Sequence, residues 1–331
     1  MCRDHLLQLG AMNLLLLETG ESVAPTLRRN VVWAISNLCR GKPAPPFEYI
    51  LPALPVLAGL LQSPDTHVVT DACWALSYIS DGDDERKINK ILEAGVCAIA
   101  VRLLNHQTSS VQTPALRVIG NIVTGDEIQT QLAISSGCLP ALKMMLDTNT
   151  KKSIKREVCW TLSNITAGNR SQIEAVLEAG VIDSLIHQMS VSEFDVRKEA
   201  AWAIANATSS GSPQQIAQLV KRGCIEPLCE LVVAADIRVV AVSLEGLENI
   251  LKQGEDLKPH NNHINPYAQI MEETCGLDNI ETLRSHPSAP IYTKALSIIT
   301  KYFSMEEDEE LDGPSAFEFG ANATPQGGFS F

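Results

Sequence analysis

Residues 158–168 read VCWTLSNITAG, with Trp160 and Asn164 four positions apart. On a helix, residues i and i+4 share a face, so an indole and a carboxamide stand side by side. The phrase recurs as VVWAISNLCR from Val31, DACWALSYISDG from Asp71, ALRVIGNIVTG from Ala115, EAAWAIANATS from Glu199 and SLEGLENILKQG from Ser243. Its carboxamide column is Asn37, Tyr78, Asn121, Asn164, Asn206 and Asn249, in steps of 41, 43, 43, 42 and 43 residues. A Gly ahead of an apolar helix keeps the same period at Gly95, Gly137, Gly180 and Gly223.

A repeat of this length falls in the armadillo/HEAT range. Each unit reads as helix throughout: the Gly marks a junction, a Leu/Ile-rich stretch such as 138–146 forms one helix, and the W-x-x-x-N helix follows a polar turn. Ala is abundant and strict alternation is absent, which argues against strands. One unit cannot bury both its faces, so neighbours must stack. The expected fold class is all-α, a right-handed superhelical solenoid of armadillo repeats. Residues 1–304 read as roughly the last seven repeats with the first incomplete, and the uncapped start reads as an N-terminal truncation. The period stretches between 254 and 267, where Pro259, His260, Asn261, Asn262, His263 and Pro266 mark an exposed loop. The two histidines have no Cys or further His beside them, so the loop reads as polar and not as a metal site. Residues 305–331 carry the acids Glu306, Glu307, Asp308, Glu309, Glu310 and Asp312, then a Gly/Pro/Phe tail, and are expected to be disordered.

With 39 acids against 26 bases in 331 residues, the net charge is -13. That balance argues against nucleic acid, which requires a basic footprint, and favours a basic partner. Nine cysteines without a CxxC pair read as reduced, buried thiols of an intracellular protein. Residues 1–10 lack the basic start and apolar run of a signal peptide. No apolar stretch reaches the roughly 18 residues of a membrane span. P-loop, GxSxG, HExxH and Cys-His signatures are absent, and Cys39 and His67 show no relation to each other. No catalytic residue, cofactor or metal is expected.

The pairs Trp33/Asn37, Trp160/Asn164 and Trp202/Asn206 form a ladder once the repeats stack. A core column would tolerate Leu or Ile, and Asn is a poor core residue, so the ladder is expected on a surface. Asn offers a donor and an acceptor that can hold an extended peptide main chain. Trp faces can wall in the aliphatic stem of Lys or Arg, each cation–π contact contributing about 0.5–2 kcal/mol. Asp71, Asp126 and Glu199 are the acids that would complete these pockets. Tyr78 replaces the Asn of one unit and Arg117 the Trp of the next. These breaks divide the groove, and Arg117 would repel a basic side chain and could receive acidic or main-chain oxygens.

The strings VVWAISNLCRGKPAPP, DACWALSYISDG, ALRVIGNIVTGD and CWTLSNITAGN resemble the importin alpha family of nuclear-import adaptors, its plant-type members above all, over nearly the whole chain. The resemblance implies binding of the basic nuclear localisation signals of cargo proteins, with the protein in cytoplasm and nucleus. It assigns Arg117, Asn121, Asp126, Trp160, Asn164, Glu199, Trp202 and Asn206 to a minor groove. It gives Trp33, Asn37, Arg40, Asp71 and Trp74 as part of a major groove, with Tyr78 as the divider. The family's basic segment for importin beta has no counterpart here, which argues against importin beta as a partner. Residues 292–303 and the following acids resemble the surface read by the family's export receptor. No nucleic acid or membrane partner is implied. The alternatives are a short form that competes for cargo or export receptor, and a general armadillo protein-interaction scaffold.

Overall fold

The computed structural model describes residues 2–82, 84–148 and 151–303. The acidic run and the tail after it lie outside the described residues. Among the described residues the regular structure is helical, in seven successive three-helix units. The first helices are Cys2–Gln8, Phe47–Ile50, Glu85–Glu93, Glu127–Ser135, Arg170–Glu178, Pro213–Lys221 and Pro266–Glu273. The second are Ala11–Leu17, Leu54–Leu60, Val96–Leu104, Cys138–Thr148, Val181–Val191, Ile225–Leu231 and Gly276–Thr282. The third are Pro25–Cys39, Thr66–Ser80, Ser109–Ile122, Lys152–Thr166, Phe194–Ser210, Ile237–Glu255 and Ala289–Tyr302. Among the described residues no helix is long and apolar enough to cross a membrane.

The periodic Gly column creates the corner between first and second helices. Gly95, Gly137, Gly180 and Gly223 have φ of 73°, 85°, 66° and 85°. That left-handed conformation costs an L-residue about 1–2 kcal/mol and costs Gly nothing comparable. In the seventh unit Cys275 takes the corner with φ 57°.

Stacking is like on like. Third helices pack on third helices all along the chain, and second on second from the third unit to the seventh. The side chains between them are small or branched: Val158, Cys159, Leu162 and Ile165 of the fourth unit are all 0% exposed, as are Ala200, Ala201, Ala203 and Ile204 of the fifth. Each fully buried Leu, Ile or Val contributes about 1.5–3 kcal/mol. Leu162→Ala would open a cavity costing about 2–5 kcal/mol. The result is a solenoid of armadillo repeats, whose third helices share one continuous face.

Polar fasteners complete the stack. Asp126, Asn169 and Ser212 each accept the N–H of the residue three ahead, and the carboxamides of Gln129, Gln172 and Gln215 accept the cap's own N–H in return. These are capping boxes. The stretched spacing before the seventh unit is also pinned. Asn265 is buried, donates to the Leu251 carbonyl (2.9 Å) and the Glu255 carboxylate (2.7 Å), and accepts from the N–H groups of Tyr267 (3.0 Å) and Ala268 (3.2 Å). A Cβ on Gly254 would overlap this carboxamide. The loop expected to be merely exposed is thus anchored at its end by a buried cap.

Candidate functional site

The ladder lies on the third helices. Trp33 and Trp202 are 60% and 40% exposed, and Trp74 and Trp160 are half-buried. Trp160 lies lower because of Gly120 on the preceding third helix, where any Cβ would meet the indole. Trp74 stacks on Tyr78 of its own helix, with centroids 5.8 Å apart and planes at 20°. The exposed Arg40 guanidinium lies 5.7 Å above the Tyr78 ring and lines a recess of about 520 Å³ with Lys42, Pro43 and Asp81.

The Asn column does more than face solvent. Asn206 donates its amide to the Ser163 carbonyl of the preceding unit at 2.9 Å. Asn121 does the same to the Ser77 carbonyl (2.9 Å) and adds the Ser80 hydroxyl (3.0 Å). Asn249 reaches the Thr208 hydroxyl at 3.3 Å, and Asn37 turns back to its own Trp33 carbonyl at 2.8 Å. Asn121 is only 4% exposed. The expectation that it faces a ligand is corrected: both amide hydrogens bind the neighbouring unit and the side chain is buried. Asn164 and Asn206 are half-buried, and the Asn164 amide nitrogen has no hydrogen-bond partner among the described residues.

The acids sort differently from the sequence reading. Asp71 lines a recess of about 420 Å³ with Arg29, Asn30, Trp33 and His67. Glu199 lines one of about 220 Å³ with Arg117, Arg156, Glu157 and Trp160. Each acid stands three residues before the Trp position of its own unit and faces the Trp of the unit before. Burial pushes both carboxyl groups above their ordinary range; His67 opposes the shift at Asp71, and Lys198 and Arg156 oppose it at Glu199. Asp126 is instead a helix cap, 2.8 Å from the Gln129 N–H. Its Oδ1 is engaged by its own first helix.

Glu157 occupies the same column as Asp71 and Glu199, and the sequence reading passed over it. Its Oε1 lies 2.9 Å from Arg117 Nε, a charge contact not aligned as a hydrogen bond. The Arg117 guanidinium also sits 5.3 Å over the Trp160 ring. Arg117 is therefore no free receptor for acidic oxygens, because Glu157 already meets its charge. Burial raises the Glu157 carboxyl, and Arg117 then Arg156 pull it back down. The acid-before-Trp spacing, repeated at Asp71, Glu157 and Glu199, was the available signal. Among the described residues no group of three His, Cys, Asp or Glu side chains is placed to hold a metal.

Known proteins carry the same pattern. The armadillo/beta-catenin-like repeat profile matches residues 84–124, 126–167 and 169–209, an atypical Arm repeat profile 265–315, and a HEAT-like repeat profile 25–79. Over 100% of its length the chain is 50% identical to importin subunit alpha-3 of Arabidopsis thaliana. The chain belongs to the importin alpha family. Importin subunit alpha-1b of Oryza sativa subsp. japonica is also 50% identical over 100% of the chain, and importin subunit alpha-B of Dictyostelium discoideum 55% over 90%. The chain spans 63% of the length of the two plant importin alpha proteins and 57% of the third. Among solved structures, a designed armadillo repeat protein in complex with the peptide (KR)4 superposes with a TM-score of 0.66 at 31% identity, covering 75% of this chain and 98% of its own.

Proposed function

We propose that the chain is a nuclear-import adaptor that binds basic nuclear localisation signals across Trp160, Asn164, Trp202 and Asn206. The carrying observation is the Arg117 contact. A guanidinium lies over an indole and against a carboxylate from the next unit, so the molecule contains within itself the contact a basic ligand would make. One unit further on, Trp160 and Glu199 line a recess together and Trp202 stands exposed on the following third helix. A Lys or Arg stem laid between the two indoles would place its charge near Glu199, while the Asn164 and Asn206 carboxamides meet the ligand main chain. The relatives are named importin alpha subunits, and the designed armadillo protein holds a Lys-Arg peptide.

Trp33, Asn37, Arg40, Asp71 and Trp74 form a second, smaller set on the first two units. It ends where Tyr78 fills the Asn position and Pro114 stands where the next acid would be. Basic signals would bind there more weakly, and signals with two basic clusters would gain less than two full sites provide. The export receptor is proposed on residues 292–303, and shuttling between cytoplasm and nucleus follows from the import role. The reading is of a binding protein and not an enzyme.

Calorimetric titration with a Lys-Arg peptide tests it. Binding should be measurable in the parent protein and lost in the double variant Trp202→Ala, Asn206→Ala. Undiminished affinity in that variant would remove the proposal.

A further inference from the structure

The boundary between the fourth and fifth units is fastened at two places. On the third helices, the Asn206 amide reaches the Ser163 carbonyl at 2.9 Å. On the first helices, the Gln172 amide reaches the Glu127 carbonyl at 2.9 Å, and Gln172 is 0% exposed. Trp160 and Trp202 stand on the two sides of this same boundary. We propose that Gln172 is a positioning residue, which fixes the fifth unit against the fourth and so sets the gap between Trp160 and Trp202. The proposal rests on the groove reading given above.

The physical argument starts from burial. A carboxamide amide buried without a partner costs about 1–3 kcal/mol, so the Gln172–Glu127 bond holds wherever the units touch. The side chain is preset for it. Its Oε1 accepts the Asn169 N–H at 3.2 Å, and the Asn169 side chain accepts the Gln172 N–H at 3.1 Å. A methyl at Gly168 would overlap that Oε1. With the oxygen held inside its own unit, the amide nitrogen points to the unit before. Asn169 adds a second strut, donating to the Glu127 carboxylate at 3.0 Å. A fastening at one place leaves a rotation about it free; a second one, on another helix, removes that rotation. Neither indole is a hydrogen-bond partner in either fastening, yet their separation follows from both.

Related fasteners lie at the neighbouring boundaries. Gln129 bonds the Glu85 carbonyl (3.3 Å) and Asn89 (2.9 Å), and Gln215 bonds the Arg170 carbonyl (2.8 Å) and Glu174 (2.7 Å). They supply the control. If Gln172 only stabilises the fold, then losing it should act on the ligand no differently from losing Gln129.

The test compares the parent chain with Gln172→Leu, Gln172→Glu and Gln129→Leu, each checked by circular dichroism for full helicity at low temperature. Gln172→Glu keeps an oxygen for the Asn169 N–H and replaces the donor to Glu127 with a charged oxygen that the Glu127 carbonyl repels. In titrations with a Lys-Arg peptide, both Gln172 variants should bind at least about five-fold more weakly, and Gln129→Leu within about two-fold of the parent. A readout without ligand accompanies it: in a Trp33→Phe, Trp74→Phe background, both Gln172 variants should make Trp160 and Trp202 fluorescence more quenchable by acrylamide, and Gln129→Leu should not. Parent-like binding and quenching in both Gln172 variants, or equal losses in Gln129→Leu, would overturn the proposal. A parent that binds no basic peptide while Gln172→Leu still changes the quenching would remove the groove reading and leave the positioning of the indoles standing.

Discussion

Arg117 and Glu157 stand 2.9 Å apart across the boundary between the third and fourth units, with the Arg117 guanidinium on the face of Trp160. The chain's own cation thereby takes the face that a ligand cation would use on that side of the indole. Arg117→Ala should uncover the Trp160 face and release the Glu157 carboxylate. A peptide with three consecutive basic residues should then bind about three- to ten-fold more tightly, in line with one added cation–π contact. Titration of that peptide against parent and variant checks this, and a fall in affinity would contradict it.

Asp71, Glu157 and Glu199 all have carboxyl groups raised by burial. A cationic ligand favours the ionised acid, so affinity is full above the raised values and falls as the pH drops through them. Folding has the opposite sense: a raised acid contributes stability when protonated and loses that contribution as the pH rises. Affinity for a Lys-Arg peptide should therefore fall as the pH is lowered from neutral through the raised carboxylate range, with helicity unchanged. Parallel titrations and circular dichroism across that range would show it.

Cys275 holds a left-handed corner that five earlier units give to Gly, at Gly10, Gly95, Gly137, Gly180 and Gly223. Cys275→Gly should relieve that strain and stabilise the chain by up to about 1 kcal/mol, the gain being reduced by the extra freedom of Gly in the unfolded state. Urea denaturation measures it, and a lower midpoint would contradict the assignment of strain.

Burial pushes the thiols of Cys39, Cys73, Cys138, Cys224 and Cys229 up to about 12, and raises Cys97 and Cys159 as well. Cys2 and Cys275 are exposed. A thiol reagent at about pH 8 should thus modify those two quickly and the other seven only after denaturant is added.

The repeat, its period and the Trp/Asn register were legible because stacking forces equivalent residues into equivalent places. What the sequence did not reveal is which polar residues turn toward a neighbouring unit. Asn121 and Asn206 are the same residue type in the same column, yet one is buried with two bonds and the other half-buried with one. Both bond a serine carbonyl of the preceding unit; the extra bond of Asn121 goes to the Ser80 hydroxyl, 41 positions away in sequence. Asp126 was expected among the acids beside the ladder, but its place just after Gly125 and three before Gln129 is that of a cap. The phrase Gly-Asp/Asn/Ser-x-x-Gln, repeated from Gly125, Gly168 and Gly211, was readable in advance as a second set of fasteners.

The Gln129, Gln172 and Gln215 bonds join the third unit to the sixth in one unbroken series, and the equivalent place holds Lys87 in the third unit and Ala268 in the seventh. In a one-dimensional array, cooperativity follows the strength of nearest-neighbour coupling. Heating should therefore melt this middle block in a single transition, with the end units fraying earlier, so that the Trp160–Trp202 gap survives until the block itself gives way.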